Sequence, residues 1–256
     1  MLHSEILSAG ILKSSMPLFP KDSFLVNNYV LTGTEGTLVW DTLLDPRAIS
    51  EQSTAYTHQP VTAVYSHADW DHCLGTDGFQ FTEVIAHKDA FERFSTDLPL
   101  EIRKVGRKQA PEWITLRPVP PTITFTCKMK LEFGSFHIEL ISLGGHTSDS
   151  IVGIVPDFKL LLAGDALETI PVVNDAASVK GWLQALEKLS QRSDFEQILP
   201  GHGNPTDRAL LYQNIDYLSK LSKGDSFEIE DKGPFYRKTH RDNLQRMRNF
   251  HEQNNQ

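Results

Sequence analysis

Residues 61–72 read Val61-Thr62-Ala63-Val64-Tyr65-Ser66-His67-Ala68-Asp69-Trp70-Asp71-His72, a β-branched run that ends in two histidines and two aspartates. Valine, threonine and tyrosine suit a pleated strand, so residues 61–65 read as a strand and the cluster as its carboxyl-end loop. Alternate residues of an extended segment point the same way, which aims His67, Asp69 and Asp71 at one region. His72 joins them if the chain turns sharply there. In layered α/β architectures ligands collect beyond the carboxyl ends of strands, so the position carries as much information as the residue types.

Three more strand-like runs end in the same manner. Residues 136–143 lead into Gly144-Gly145-His146, residues 159–163 into Gly164-Asp165, and residues 195–199 into Pro200-Gly201-His202-Gly203. Glycine beside each histidine lets the backbone swing the side chain toward a common point. Further strands are expected at residues 24–31, 37–44, 83–86, 123–133 and 151–155, with a Pro156-Asp157 hairpin turn joining 151–155 to the next strand. Helices are expected from Pro46 to about residue 58 and after residue 86 through Phe91 and Phe94. Two more are expected from Ser178, with Val179, Trp182, Leu183, Leu186 and Leu189 on one face, and from Asn204-Pro205, with Leu211, Ile215 and Leu218 inward. Mixed strands and helices without a compositional break indicate one α/β domain over residues 1–256, with its core at about 20–220. Residues 97–122, with five prolines and several basic residues, read as a surface insertion holding a short helix, and residues 225–256 as a polar helical tail.

At 256 residues with 39% hydrophobic and 23% charged content, the composition is that of an ordinary soluble protein with a sizeable core. A net charge of −8 argues against nucleic acid as a partner. Two distant cysteines, Cys73 and Cys127, give no disulfide framework, and Cys73 reads as a small packing residue. No signal peptide and no apolar run long enough to span a bilayer is present, so the expected setting is cytoplasmic and away from membranes.

Taken in order, these motifs resemble those of the metallo-β-lactamase superfamily over roughly residues 20–220. The family's His-x-His-x-Asp-His signature is met by His67-x-Asp69-x-Asp71-His72, its Gly-His-Thr by Gly145-His146-Thr147, its strand-ending aspartate by Asp165, and its Pro-Gly-His-Gly by residues 200–203. One such motif is weak evidence, whereas four in sequence are specific. The resemblance implies a four-layer αβ/βα sandwich of two mixed sheets flanked by helices, and hydrolysis of a small molecule such as an ester, lactone or thioester. It further implies two divalent metal ions, zinc first and iron or manganese as alternatives. His67, Asp69 and His146 would hold one, Asp71, His72 and His202 the other, and Asp165 would bridge both. Asp71 and Asp165 are the expected catalytic carboxylates, and Asp41 is expected to support the ligand loop.

Asp69 replaces the family's usual histidine. Three carboxylates against two divalent ions and one hydroxide leave the cluster formally neutral, where histidine would leave one positive charge; the oxygen donor also favours iron or manganese. Asp149 stands where glycine is frequent, with an open supporting role. Trp70 reads equally as pocket wall or core. Phe91, Phe94 and Trp113 read as pocket lining or as packing of the insertion, and the basic residues 103–108 as a solvated helix face. Two other functions compete: an iron-dependent redox enzyme on the same scaffold, and a binding module without activity.

Overall fold

In the computed structural model, residues 2–18, 24–109 and 111–254 are described. The start of the expected core near residue 20, the end of the tail at residues 255–256 and the side chain of Lys108 lie outside them. The chain forms two mixed sheets. The first contains β1 (His3–Ser8), β2 (Ile11–Pro17), β3 (Leu25–Thr32), β4 (Thr37–Trp40), β5 (Val61–Val64), β6 (Glu83–His87) and β7 (Ile123–Phe125), in that spatial order. Pairing is antiparallel from β1 to β4 and parallel from β4 to β7. The second is ordered β13-β12-β11-β10-β9-β8, from β8 (Lys128–Glu132), β9 (His137–Ser142), β10 (Ile151–Val155), β11 (Leu160–Gly164), β12 (Gln197–Pro200) and β13 (Thr206–Asp207).

Period-two alternation builds the layers. Tyr29, Leu31, Leu38 and Trp40 of the first sheet meet Ile138, Leu140, Leu160 and Leu162 of the second in one buried cluster between the sheets. The intervening Val152, Ile154, Leu161 and Ala163 face outward onto helices α5 (Val179–Ser190), α6 (Ala209–Ser222) and α7 (Pro234–Asn254). On the far side of the first sheet, Ala63 and Tyr65 pack with residues of α1 (Pro46–Gln52), α2 (Trp70–Cys73), α3 (Lys88–Arg93) and α4 (Leu98–Gln109). The result is the expected helix–sheet–sheet–helix order. Trp40 and Trp182 are among the largest fully buried side chains, and truncating either to alanine is worth about 3–5 kcal/mol. Among the described residues, no helix is long and apolar enough to cross a membrane.

Several boundaries depart from the sequence reading. The strand expected over 37–44 stops at Trp40, because the backbone turns left-handed at Asp41 (φ 60°) and Leu43 (φ 57°). The run 123–133 splits into β7 and β8, which belong to opposite sheets; β-propensity records extended backbone, not which sheet receives it. Asn204-Pro205 does not open a helix: the chain first pairs β13 with β12, and α6 begins at Ala209. Ser178 is itself helical and makes no side-chain cap, its hydroxyl donating to the Gly145 and Asp175 carbonyls, while Asp175 caps the preceding turn. The first helix ends at Gln52 and the last starts at Pro234, and strands β1 and β2 had no sequence counterpart. The Pro156 hairpin and the buried Cys73 are as expected.

Candidate metal centre

Four strand ends meet where the two sheets come together. Asn27 N–H donates to the Gly201 carbonyl at 2.8 Å and Ile151 N–H to the Ser66 carbonyl at 2.8 Å, so each sheet holds a loop of the other. Asn27 Nδ2 also bonds the Pro200 and Gly203 carbonyls, and the Tyr29 hydroxyl donates to Pro200 O. These contacts fix the Pro-Gly-His-Gly turn. Gly201 is required by close approach: a Cβ there would lie 2.4 Å from Asp165 Oδ1 and 2.7 Å from His72 Cε1. Gly145 has φ +101° and lies against the Trp182 indole, which sets the turn that delivers His146.

All four histidines hold their Nδ1 against the scaffold and turn Nε2 inward. His72 Nδ1 pairs with Asp41 Oδ2 at 2.9 Å, His146 Nδ1 with the Val172 carbonyl at 3.0 Å, and His202 Nδ1 with the Leu25 carbonyl at 2.8 Å. His67 Nδ1 lies 3.0 Å from Ser66 Oγ; that hydroxyl donates to Asp41 Oδ2 at 2.8 Å, so it accepts from the imidazole. Each ring therefore keeps a proton on Nδ1, which makes Nε2 the nitrogen that can offer a lone pair to the centre once it is deprotonated. Phe24 stacks on the His202 ring at 4.6 Å. The loop bearing the Val172 carbonyl is held in turn by Asn243 of α7, which bonds Val173 N and Pro171 O. The C-terminal helix thus supports His146, a role that none of its sequence features announced.

The carboxylates sit among the Nε2 atoms. Asp165 occupies the middle, with Oδ1 3.3 Å from His72 Nε2 and Oδ2 3.5, 3.7 and 3.8 Å from those of His202, His146 and His67. Asp69 Oδ2 lies 3.3 Å from His146 Nε2 and 3.5 Å from His67 Nε2, and Asp71 Oδ2 lies 3.4 Å from His202 Nε2. Donor atoms of His67, Asp69 and His146 fall within 4.8 Å of one another, as do those of Asp71, His72 and His202. The seven residues singled out in the sequence are thus brought together, six of them in the two groups of three expected and Asp165 between them.

Whether this cluster suits cations can be tested on its own hydrogen bonding. His67 Nε2, His72 Nε2 and Asp165 Oδ1 are buried without a hydrogen-bond partner among the described residues. Such orphaned polar atoms are costly to bury unless something else satisfies them, and nitrogen and carboxylate oxygen are the donors that zinc, iron and manganese take. The donor set fits. Without a cation the cluster is a knot of opposite charges. Burial alone would push the His72, His146 and His202 imidazoles down, but the surrounding carboxylates lift His146 to about 9 and the other two well above the ordinary value. Asp165, despite burial, is held well below the usual carboxylate range, chiefly by His202 and His72, and Asp69 likewise by His67 and His146.

Four further residues surround the cluster. Asp41 accepts from Ser66 N–H at 2.7 Å as well as from Ser66 Oγ and His72, so it braces the loop carrying His67 and the His72 ring. Arg93, which sequence reading passed over, donates from Nη2 to Asp69 Oδ1 at 2.8 Å, from Nη1 to Asp149 Oδ1 at 3.1 Å and from Nε to Asp97 Oδ2 at 2.9 Å. Asp149 is fully buried and accepts the Ala68 N–H at 2.7 Å. Arg93 and Asp149 cancel in charge, so the formal balance argued from Asp69 is unaltered. Glu168 was also missed: it is buried beside Asp165 and His202, its Oε2 has no hydrogen-bond partner among the described residues, and burial with the neighbouring Asp165 pushes its carboxyl up to about 8. No spacing rule marks an arginine on the following helix or a glutamate three residues past Gly164-Asp165; only the fold reveals them.

A cavity of about 780 Å³ opens beside Asp69 and His146. Trp70, Gly145, Thr147 and Asn174 line it, and the insertion helix α4 contributes Glu101, Lys104 and Val105. Trp70 is therefore pocket wall. Trp113 is buried against it at 5.3 Å, Phe94 stacks on Tyr65, and Phe91 is exposed, so these three pack or face outward and do not line the cavity.

Comparison with known proteins agrees with this geometry. The family model for the metallo-beta-lactamase superfamily matches residues 22–202. The metallo-beta-lactamase type 2 of Bacillus sp. (strain 170) is 26% identical over 202 residues, covering 75% of this chain and 72% of that protein. The acyl-coenzyme A thioesterase MBLAC2 of Homo sapiens is 26% identical over 223 residues, 76% of this chain and 79% of that protein. Among solved structures, a metallo-beta-lactamase from Pontibacter korlensis superposes with a TM-score of 0.66 at 18% identity, covering 86% of this chain and 99% of that one. A metallo-beta-lactamase family protein from Thermus thermophilus gives 0.68 at 18% identity, over 86% and 83%.

Proposed function

This chain is an enzyme of the metallo-beta-lactamase superfamily, and from that premise we propose that it hydrolyses an ester, lactone or thioester of a small molecule. The observation that carries the reading is the buried ring of four inward Nε2 atoms around Asp165, opening on a cavity of about 780 Å³. That volume is in the range of small-molecule sites, about 300–1,000 Å³. His67, Asp69 and His146 would hold one divalent cation and Asp71, His72 and His202 a second, with Asp165 reaching both. Zinc in both positions is the form proposed. When bound, such ions supply Lewis-acid polarisation of a carbonyl and acidify water at neutral pH.

The chain's own groups do the rest. Asp71, its Oδ2 near the His202 and His72 rings, is the carboxylate placed to orient the attacking water and move its proton. Asp165 holds the two halves of the site in register, and the Nδ1 contacts keep the imidazoles from rotating. Trp70 and α4 shield one side of the cavity from solvent.

Asp97 and Asp175, which line the cavity, outweigh Lys104, while burial and the neighbouring Asp69 push the Glu101 carboxyl up to about 7 and Arg93 is committed to aspartates. An acyl-coenzyme A, the substrate class in the name of the human relative, would bring its phosphates to this acidic rim. An uncharged ester, lactone or short thioester meets no such repulsion and is the preferred class. We further propose that the chain works as one cytoplasmic domain with no nucleic-acid or membrane partner.

The test is metal analysis of anaerobically purified protein together with turnover of chromogenic ester, lactone and thioester panels. Zinc with hydrolysis of one class is expected. Near-stoichiometric iron with oxygen uptake would replace hydrolysis by the redox reading, which the oxygen donor Asp69 favours; a protein inert toward every class would point to the binding module.

A further inference from the structure

Asp69 and Asp149 are the two aspartates of the site region that depart from the superfamily pattern, and one side chain holds both. The Arg93 guanidinium forks, giving Nη2 to Asp69 Oδ1 at 2.8 Å and Nη1 to Asp149 Oδ1 at 3.1 Å. Asp149 in turn takes the N–H of Ala68, the residue between His67 and Asp69, at 2.7 Å. The loop carrying His67 and Asp69 is therefore gripped at its backbone and at its carboxylate by one ion-paired unit, in which Asp149 is fully buried and Arg93 half-buried. Only Oδ2 of Asp69 is left facing the imidazoles, 3.3 Å from His146 Nε2 and 3.5 Å from His67 Nε2.

We propose that Arg93 is a positioning residue that makes Asp69 a one-oxygen ligand, so that a carboxylate does there what a single imidazole nitrogen would do. This inference rests on the metal-centre reading above. The physical reason is that a free carboxylate has two equivalent oxygens and a rotatable χ2, and would alternate between one-oxygen, two-oxygen and withdrawn arrangements. A guanidinium pairs with carboxylates in a rigid planar fork, and here one tine holds Oδ1 while the other is anchored on the fully buried Asp149. Arg93 Nε also bonds Asp97, the residue preceding α4, at 2.9 Å. The same fork therefore ties the ligand to the helix that walls the cavity.

The experiment is a double-mutant cycle read by cobalt(II) binding. Wild type, Arg93→Gln, Asp69→His and the double variant are loaded with cobalt, and the affinity of each ion is taken from chelator competition and from the visible absorption band. Wild type is expected to bind two ions. Arg93→Gln is expected to lose about 10-fold or more in the affinity of one ion and to change its band, the usual size for removal of an outer partner of a ligand. In the Asp69→His background, where no carboxylate needs orienting, Arg93→Gln should change neither affinity by more than about twofold. An equal loss in both backgrounds, or no loss in either, overturns the proposal, because Arg93 would then be general scaffold or irrelevant. If Arg93→Gln does not fold, the same cycle is run with Arg93→Lys, which keeps the charge but cannot fork. Failure of the wild type to bind cobalt at all is a different result: it removes the metal-centre reading itself.

Discussion

Replacing Asp41 by asparagine isolates what the residue behind the histidine cluster does. Asparagine keeps the shape and tolerates the left-handed backbone at φ 60° about as well as aspartate, so the change tests hydrogen bonding and not strain. Asp41 accepts three hydrogen bonds, from Ser66 N–H, Ser66 Oγ and His72 Nδ1. An amide has one accepting oxygen; if it keeps Ser66 N–H, its NH₂ must face His72 Nδ1. His72 then accommodates the amide only by moving its proton to Nε2, which occupies the lone pair aimed at the centre. The loss should resemble that for other partners of metal-bound histidines, about 10–100-fold in affinity, or about 1.4–2.7 kcal/mol at 1.36 kcal/mol per decade. The metal-free fold should separately lose about 1–3 kcal/mol for a donor left badly matched in a fully buried position. Chelator competition measures the first quantity and thermal unfolding of metal-free protein the second, with imidazole nitrogen NMR reporting the His72 tautomer. A variant that is destabilised yet binds both ions with wild-type affinity would refute the argument, since Asp41 would then support the fold without setting a ligand.

Other perturbations test the remaining parts of the site. Gly201→Ala should keep the fold but weaken metal binding about 10-fold or more, because its Cβ would displace Asp165 and His72; isothermal titration reads this, and unchanged affinity would mean the Gly201 turn yields freely. Metal loading should release protons, since the surrounding carboxylates raise His146 to about 9 and lift His72 and His202 above the ordinary imidazole value. Affinity should therefore fall as pH drops from about 9 toward 6.5, visible as pH drift in weakly buffered titrations. The sign for stability is the reverse. The raised His146 contributes fully to the metal-free fold below its ordinary value of 6.5, and that contribution is lost as pH rises through about 9. Glu168→Gln should stabilise the metal-free protein increasingly from about pH 4.5 to 8, because the buried carboxyl, raised to about 8, favours the unfolded chain as pH climbs through that window. Melting temperatures of the two proteins across that range decide it, and parallel curves would contradict the burial argument.

The layered α/β class and the seven residues at four strand ends were legible in the amino-acid order alone, and for a physical reason. Strand periodicity, glycine beside histidine, and imidazole or carboxylate at a strand terminus are local features, each fixed by a few neighbouring residues. The same locality explains the misreadings. Residues 123–133 have continuous β-propensity, yet β7 and β8 part into different sheets because pairing partners, not propensity, assign a strand. Asn204-Pro205 has the chemistry of a helix start, but β12 captures Thr206 and Asp207 first. How the clustered side chains are held became visible only once the layers were packed. Arg93 reaches Asp69 and Asp149 across 24 and 56 residues of chain, and Asn243 fixes the loop under His146 from the last helix. Contacts between residues so far apart in sequence have no spacing that could announce them, because they depend on where packed layers bring side chains rather than on what stands next in the chain.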